Sequence, residues 1–283
     1  MGQNMIDVKR RIKSVTSTMQ ITKAMELVAT AKLKRARTKL EASKPYFETI
    51  LDSIHEIIGH SKGFKHPFVD HREINNTLFV VITGDRGLAG GYNANVCKLV
   101  EEKIAEKKHS KLIAIGSKGR DYFKRRGHEV IDSYIGVSES PSIEVSQEIG
   151  RQIVEMYLKK EIDEIYLVYT EFISTISYEP KALRLLPVVI DESRIKKKML
   201  FRYEPSPESV LDYLIPKYLN SVLYGAAIEA SASESGARRI AMESATDNAK
   251  DMIGELQLLY NRARQASITQ EITEIVAGAD ALN

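Results

Sequence analysis

Apolar residues recur at alternating steps of four and three from the start of the chain. Val8, Ile12, Val15, Met19, Thr22, Glu26, Ala29, Leu33, Ala36, Leu40, Ser43, Phe47, Ile50, Ile54 and Ile57 form a heptad seam in which only Thr22, Glu26 and Ser43 are polar. No glycine falls between Gly2 and Gly59, and no proline precedes Pro45. The pattern predicts one long helix over residues 1–58. Around the lapse at Thr22 and Glu26, Ile21, Ala24, Met25, Leu27 and Val28 make the helix apolar on nearly every side, so more than one surface must cover it.

A second helical pattern opens at Ser206-Pro207-Glu208, which reads as an N-cap, a proline at the first helical position and an acid in the first turn. It continues through 206–283, with Met242, Ala245, Ala249, Met252, Leu256, Leu259, Ala263 and Ala266 as its seam. Gly, Ala and Ser supply fourteen of the 25 residues from Gly225 to Ala249, which permits close approach of another helix. Pro216 removes a backbone hydrogen bond and is expected to kink or interrupt the first turns. Two such helices at opposite ends of one chain predict an antiparallel coiled coil.

Between them the period changes. Thr77–Thr83, Lys111–Gly116, Glu129–Tyr134, Glu164–Ile173 and Leu183–Ile190 read as strands; Asn93–Glu106, Ser117–Arg125 and Ser142–Lys160 read as helices. The expected fold class is α/β plus coiled coil, with a small Rossmann-like sheet domain over residues 75–195 inserted between the two helices.

Composition narrows the function. The chain has 283 residues, 43% hydrophobic and 28% charged, with no apolar stretch near the roughly 20 residues that cross a bilayer. MGQNMIDVKRR lacks the apolar region of a secretory signal, and no Ser/Arg-rich leader is seen. Cys97 is the single cysteine, so no internal disulfide forms and its expected role is packing. Net charge is +3, yet the first 44 residues hold eleven Lys and Arg against Asp7, Glu26 and Glu41, or 11 − 3 = +8. This end expects an acidic partner. Nucleic acid is disfavoured, because no reading motif is present and no aromatic residues interleave the basic run.

ITGDRGLAGGYNAN, Ile82 to Asn95, lies where a phosphate loop would sit. It lacks the lysine and hydroxyl of GxxxxGK[ST] and the spacing of GxGxxG, so no nucleotide cofactor is expected. Gly90 and Gly91 are expected to supply tight-turn angles and Asn93 to cap the next helix. The six histidines are scattered, without the HExxH spacing of a zinc site, and there is no GxSxG elbow. No catalytic residue, cofactor site or metal site is assigned.

ITKAMELVATAKLKRA (Ile21 to Ala36), TGDRGLAGGYN (Thr83 to Asn93), ATDNAKDMIGELQLLYNRARQASITQEITEIVAGA (Ala245 to Ala279) and the initial MxxxxxxVKRRIKSV pattern resemble the γ subunits of F-type ATP synthases. The resemblance implies a non-catalytic central rotor shaft turning inside a ring of α and β subunits and coupling proton-driven c-ring rotation to ATP synthesis or hydrolysis. Its α/β domain would meet ε and the c-ring, through which alone the chain would touch the membrane, at the cytoplasmic face of a bacterial cell. The cysteine-bearing insertion of chloroplast forms is missing. The resemblance places Lys9, Arg10, Lys13, Met25, Arg238, Arg264, Gln265, Thr269 and Glu271 against α or β, and Tyr203 and Glu204 against ε and the c-ring.

Overall fold

The computed structural model describes residues 2–60, 66–70, 72–188, 204 and 206–280. Its elements are α1 (Gly2–His60), β1 (Asn76–Ile82), α2 (Tyr92–Ala105), β2 (His109–Ile115), α3 (Ser117–Arg125), β3 (Glu129–Tyr134), α4 (Ile143–Leu158), β4 (Glu164–Phe172), β5 (Tyr178–Leu186) and α5 (Pro207–Asp280). The chain divides into two compact units, one of residues 30–238 and one pairing residues 1–29 with 239–283.

In the larger unit the five strands lie in the order β3-β2-β1-β4-β5. β1 pairs in parallel with β2 and β4, β2 with β3, and β5 runs antiparallel along the edge. Both faces are covered. Leu78, Val80 and Ile82 pack on one side with α1, α4 and α5, while Phe79 and Val81 pack on the other with α2 and α3. A strand buried on both faces reads as a continuous apolar run, which is why LFVVI shows no alternation. Cys97 is buried in the second layer, where burial pushes its thiol up to about 12, and it acts there as a small hydrophobe.

β5 begins five residues before the expected Leu183. Pro180 argues against a strand in sequence, but β5 is an edge, where a missing N–H costs no ladder bond. Residues 189 and 190 of the expected strand lie outside the described residues.

Ile50, Ile54 and Ile57 of α1 share a core with Leu211, Ile215, Leu219 and Val222 of α5. Farther along, Leu33 and Ala36 meet Ala232. Rising numbers on one helix meet falling numbers on the other, so the pair is antiparallel. α5 starts as expected, with Ser206 Oγ accepting from Ser209 N at 3.3 Å. It then runs through Pro216 without interruption. Burial of Ile215, Tyr218 and Leu219 beside the proline offsets a cost of ~3 kcal/mol, since each such side chain contributes about 1.5–3 kcal/mol.

In the smaller unit the α1 seam holds: Val8, Ile12, Val15, Met19 and Glu26 are half-buried, and Thr22 and Ala29 are buried. The α5 seam is corrected. Met252 and Leu259 are exposed, whereas Thr246, Ile253, Leu256, Tyr260 and Ala263 face inward. Thr246 decides the phase, because its hydroxyl lies 2.8 Å from that of Thr22 across the pair. A scan of apolar residues passes over a threonine and selects Ala245 beside it.

Candidate functional site

The glycine loop closes upon itself. Gly84 N donates to Asn93 Oδ1 at 2.8 Å and Asp85 N donates to Ser138 Oγ at 3.1 Å, so these two amides are not free to cradle a phosphate. Asn93 therefore staples the loop; the N-cap of α2 is Gly91, without a side-chain cap bond, and its φ of −82° is ordinary. Gly90, at φ +54°, and Leu88, at φ +61°, take the left-handed angles. Gly116 is required for a different reason: at φ +97° a Cβ there would stand 2.2 Å from Thr83 O.

Asp85 occupies the place an anion would take at the amino terminus of α3. Its Oδ1 accepts from Ser117 N at 2.9 Å, and Oδ2 accepts from Gly136 N and from Ser138 Oγ, each at 2.9 Å. Burial raises the pKa of this carboxyl, but the bonds from Ser117, Gly136 and Ser138 outweigh burial and hold it below the ordinary aspartate value.

The strand order reverses between β1 and β4, and sheets of this kind bind ligands outside the carboxyl ends of the strands at that point. Here α5 fills it. Eight consecutive residues, Ser231 to Arg238, are buried. Ser233 Oγ donates to Thr170 O at the end of β4 at 3.2 Å, and Arg238 Nη2 donates to Gly87 O at 3.2 Å in the loop after β1. Arg238 Nη2 also donates to Glu234 Oε1 at 2.5 Å. The Glu234 carboxylate presses on Gly84, where a Cβ would approach it to 2.8 Å. Burial raises the Glu234 pKa despite Arg238, and Glu139 and Asp85 add to the rise. Burial, with Glu234 nearby, likewise lifts the Tyr92 hydroxyl well above its usual value. Outside this plug Lys32 of α1 bonds Glu139 at 2.6 Å, and Glu139 O accepts from Ser231 Oγ at 3.4 Å. The crevice is thus closed by small side chains and one buried ion pair from the chain itself.

The expected contact residues are not gathered in one place. Lys9, Arg10 and Lys13 are exposed along α1, with Arg10 3.7 Å from Asp7, and Met25 is half-buried. Arg264, Gln265, Thr269 and Glu271 are exposed along α5, where Thr269 Oγ1 donates to Gln265 O and Glu271 accepts from Ser267. Arg238 differs from them: it is 7% exposed and its guanidinium is engaged inside the chain, not on an outward helix face. Glu204 is exposed, and Tyr203 lies outside the described residues. Sequence reasoning passed over Asp85, Glu139 and Glu234. For Glu234 a signal existed, since Glu234 and Arg238 stand one helical turn apart in a run of small residues, a spacing that pairs charges. Among the described residues no group of His, Cys, Asp and Glu has the geometry of a metal site.

Two long helices flank an α/β domain, and one of them closes that domain's ligand crevice. The family model for ATP synthase matches residues 4–282. The chain belongs to the ATP synthase gamma-chain family. It is 54% identical to the ATP synthase gamma chain of Alkaliphilus metalliredigens over 100% of both chains. It is 48% identical to the sodium-ion-specific gamma chain of Acetobacterium woodii, again over 100% of both. Among solved structures it is similar to a chain of the central stalk and c-ring of Tetrahymena thermophila mitochondrial ATP synthase, with TM-score 0.62 and 25% identity over 80% of this chain and 99% of that one. A chain of the Euglena gracilis mitochondrial ATP synthase shares the fold, with TM-score 0.73 and 17% identity over 100% of this chain and 95% of that one.

Proposed function

We propose that this chain is the non-catalytic rotor shaft of a bacterial ATP synthase, one copy per ring of α and β subunits, coupling c-ring rotation to nucleotide turnover on those subunits. The observation that carries the non-catalytic reading is the closed crevice: α5 places Glu234 and Arg238 where a sheet of this topology would take a nucleotide. A shaft must be stiff and must not favour one angle strongly. Two helices of 59 and 74 residues with a sustained seam suit the first need, and exposed polar side chains suit the second.

In this reading Lys9, Arg10 and Lys13 attract acidic loops of β at long range, a force tolerant of rotation. Met25, Arg264, Gln265, Thr269 and Glu271 lie against α or β, and Tyr203 and Glu204 belong to the foot on ε and the c-ring. One eccentric shaft facing identical β subunits biases each toward a different nucleotide affinity. The driving ion is a proton or, as the name of the Acetobacterium woodii relative states for that protein, sodium. No described helix is long and apolar enough to cross a membrane. In this reading the chain is a peripheral subunit at the cytoplasmic face of the membrane.

Co-expression with α and β subunits from the same genome, followed by size-exclusion chromatography, tests the assignment. A stable complex containing all three chains, with ATPase activity that the purified shaft lacks, is the expected result. Turnover that follows the isolated chain through purification, or failure to associate, overturns it.

A further inference from the structure

A cleft of about 320 Å³ opens beside the plugged crevice, between α1 and the loop that joins β3 to α4. Its walls carry Lys32, Arg35 and Lys39, three cations at helical spacing on one side of α1, over a floor that includes Ala36 and Ile228. A single carboxylate, Glu139, faces them, held by Lys32 at 2.6 Å with Arg86 at 3.8 Å. Among the described residues neither Arg35 nor Lys39 has an ion-pair partner. The cleft therefore contains one anion and retains two uncommitted cations around a space in the size range of small-molecule sites.

We propose that this cleft is a phosphate site, which takes either inorganic phosphate or the phosphates of a nucleotide. Arg35 offers the planar fork that matches a phosphate's oxygens, Lys39 a second point charge, and Lys32 a third that it shares with Glu139. Low-dielectric walls at Ala36 and Ile228 strengthen the attraction relative to open water. The site is separate from the glycine loop, whose Gly84 and Asp85 amides are already bonded, and it does not depend on the assignment of the chain as a rotor.

Isothermal titration of the full chain at low salt with inorganic phosphate, and in a second arm with metal-free ATP, tests the proposal. Saturable binding is expected, weakened about tenfold or more in the double variant Arg35→Gln with Lys39→Gln, which loses two charge-assisted hydrogen bonds. The control, Lys124→Gln with Arg125→Gln, removes the same charge from exposed positions of α3 and is expected to bind as the parent does. Glu139→Gln removes the competing carboxylate and is expected to tighten binding. Equal affinity in the two arms identifies phosphate itself as the ligand, and clear preference for ATP identifies the nucleotide. Absence of saturable binding in both arms, or equal weakening by the two double variants, overturns the site.

Discussion

Arg238 Nη2 stands 2.5 Å from Glu234 Oε1, one helical turn away, with both side chains buried and the same guanidinium bonded to Gly87 O. One arginine thereby ties α5 to the loop after β1. It neutralises the carboxylate that presses on Gly84.

Removing one partner alone is expected to be costly. Arg238→Ala leaves Glu234 buried without its cation and should destabilise the chain by about 3–5 kcal/mol. Replacing both, as Glu234→Gln with Arg238→Met, should cost far less, because no uncompensated charge remains. Urea unfolding of the single and double variants measures the difference. A double-variant loss equal to the sum of the two single losses would show that the pair is not coupled.

The acid limb of stability should carry the signature of Asp85. Its folded-state pKa lies below the ordinary 3.8, because hydrogen bonds to the carboxylate outweigh burial. A depressed carboxylate contributes stability above the unfolded value and loses it as pH falls through the folded one. The parent should therefore exceed Asp85→Asn in urea midpoint by a constant margin from pH 7 to about pH 5, and the margin should shrink below about pH 4. A margin independent of pH down to about pH 2.5 would assign the contribution to shape instead of charge.

Thr22 and Thr246 join the smaller unit through hydroxyls 2.8 Å apart, each also within reach of its own helix at Met19 O and Met242 O. Thr22→Val or Thr246→Val should each cost about 1 kcal/mol, whereas the double variant should be close to neutral. A thermal-melt cycle reads the coupling. Simple additivity would mean that the hydroxyls do not depend on one another.

Met25→Lys tests the shaft directly. Met25 is half-buried on α1, with Ile21, Leu27 and Val28 exposed around it. In the proposed assembly a lysine there meets acidic β loops. An ion pair of about 2 kcal/mol would favour one angular position about thirtyfold, since 1.4 kcal/mol is a factor of ten. ATP hydrolysis should persist while ATP-driven ion pumping in membrane vesicles falls. Pumping that declines only in proportion to hydrolysis would count against the rotor contact.

Much of this architecture is legible along the chain. The α1 seam from Val8 to Ile57, the cap at Ser206, β3 and α3 follow from periods of 3.5 and 2 and from capping chemistry, all of which act between near neighbours. Two readings failed where a distant residue intervened. The α5 seam turns on Thr246 meeting Thr22, and the start of β5 on its place at the sheet edge.

The glycine loop marks the boundary between the two kinds of knowledge. From the sequence alone, the missing lysine and hydroxyl ruled against a Walker loop, and the motifs resembled a rotor subunit. Only the tertiary structure showed what occupies the space, because the arginine that closes it lies 151 positions from the glycine whose carbonyl it bonds. Helix and strand periods are written locally, since they come from backbone geometry. Which faces meet, which charge is buried and which cleft keeps unpaired cations are decided when distant segments exclude water from one another, and no local pattern encodes that choice.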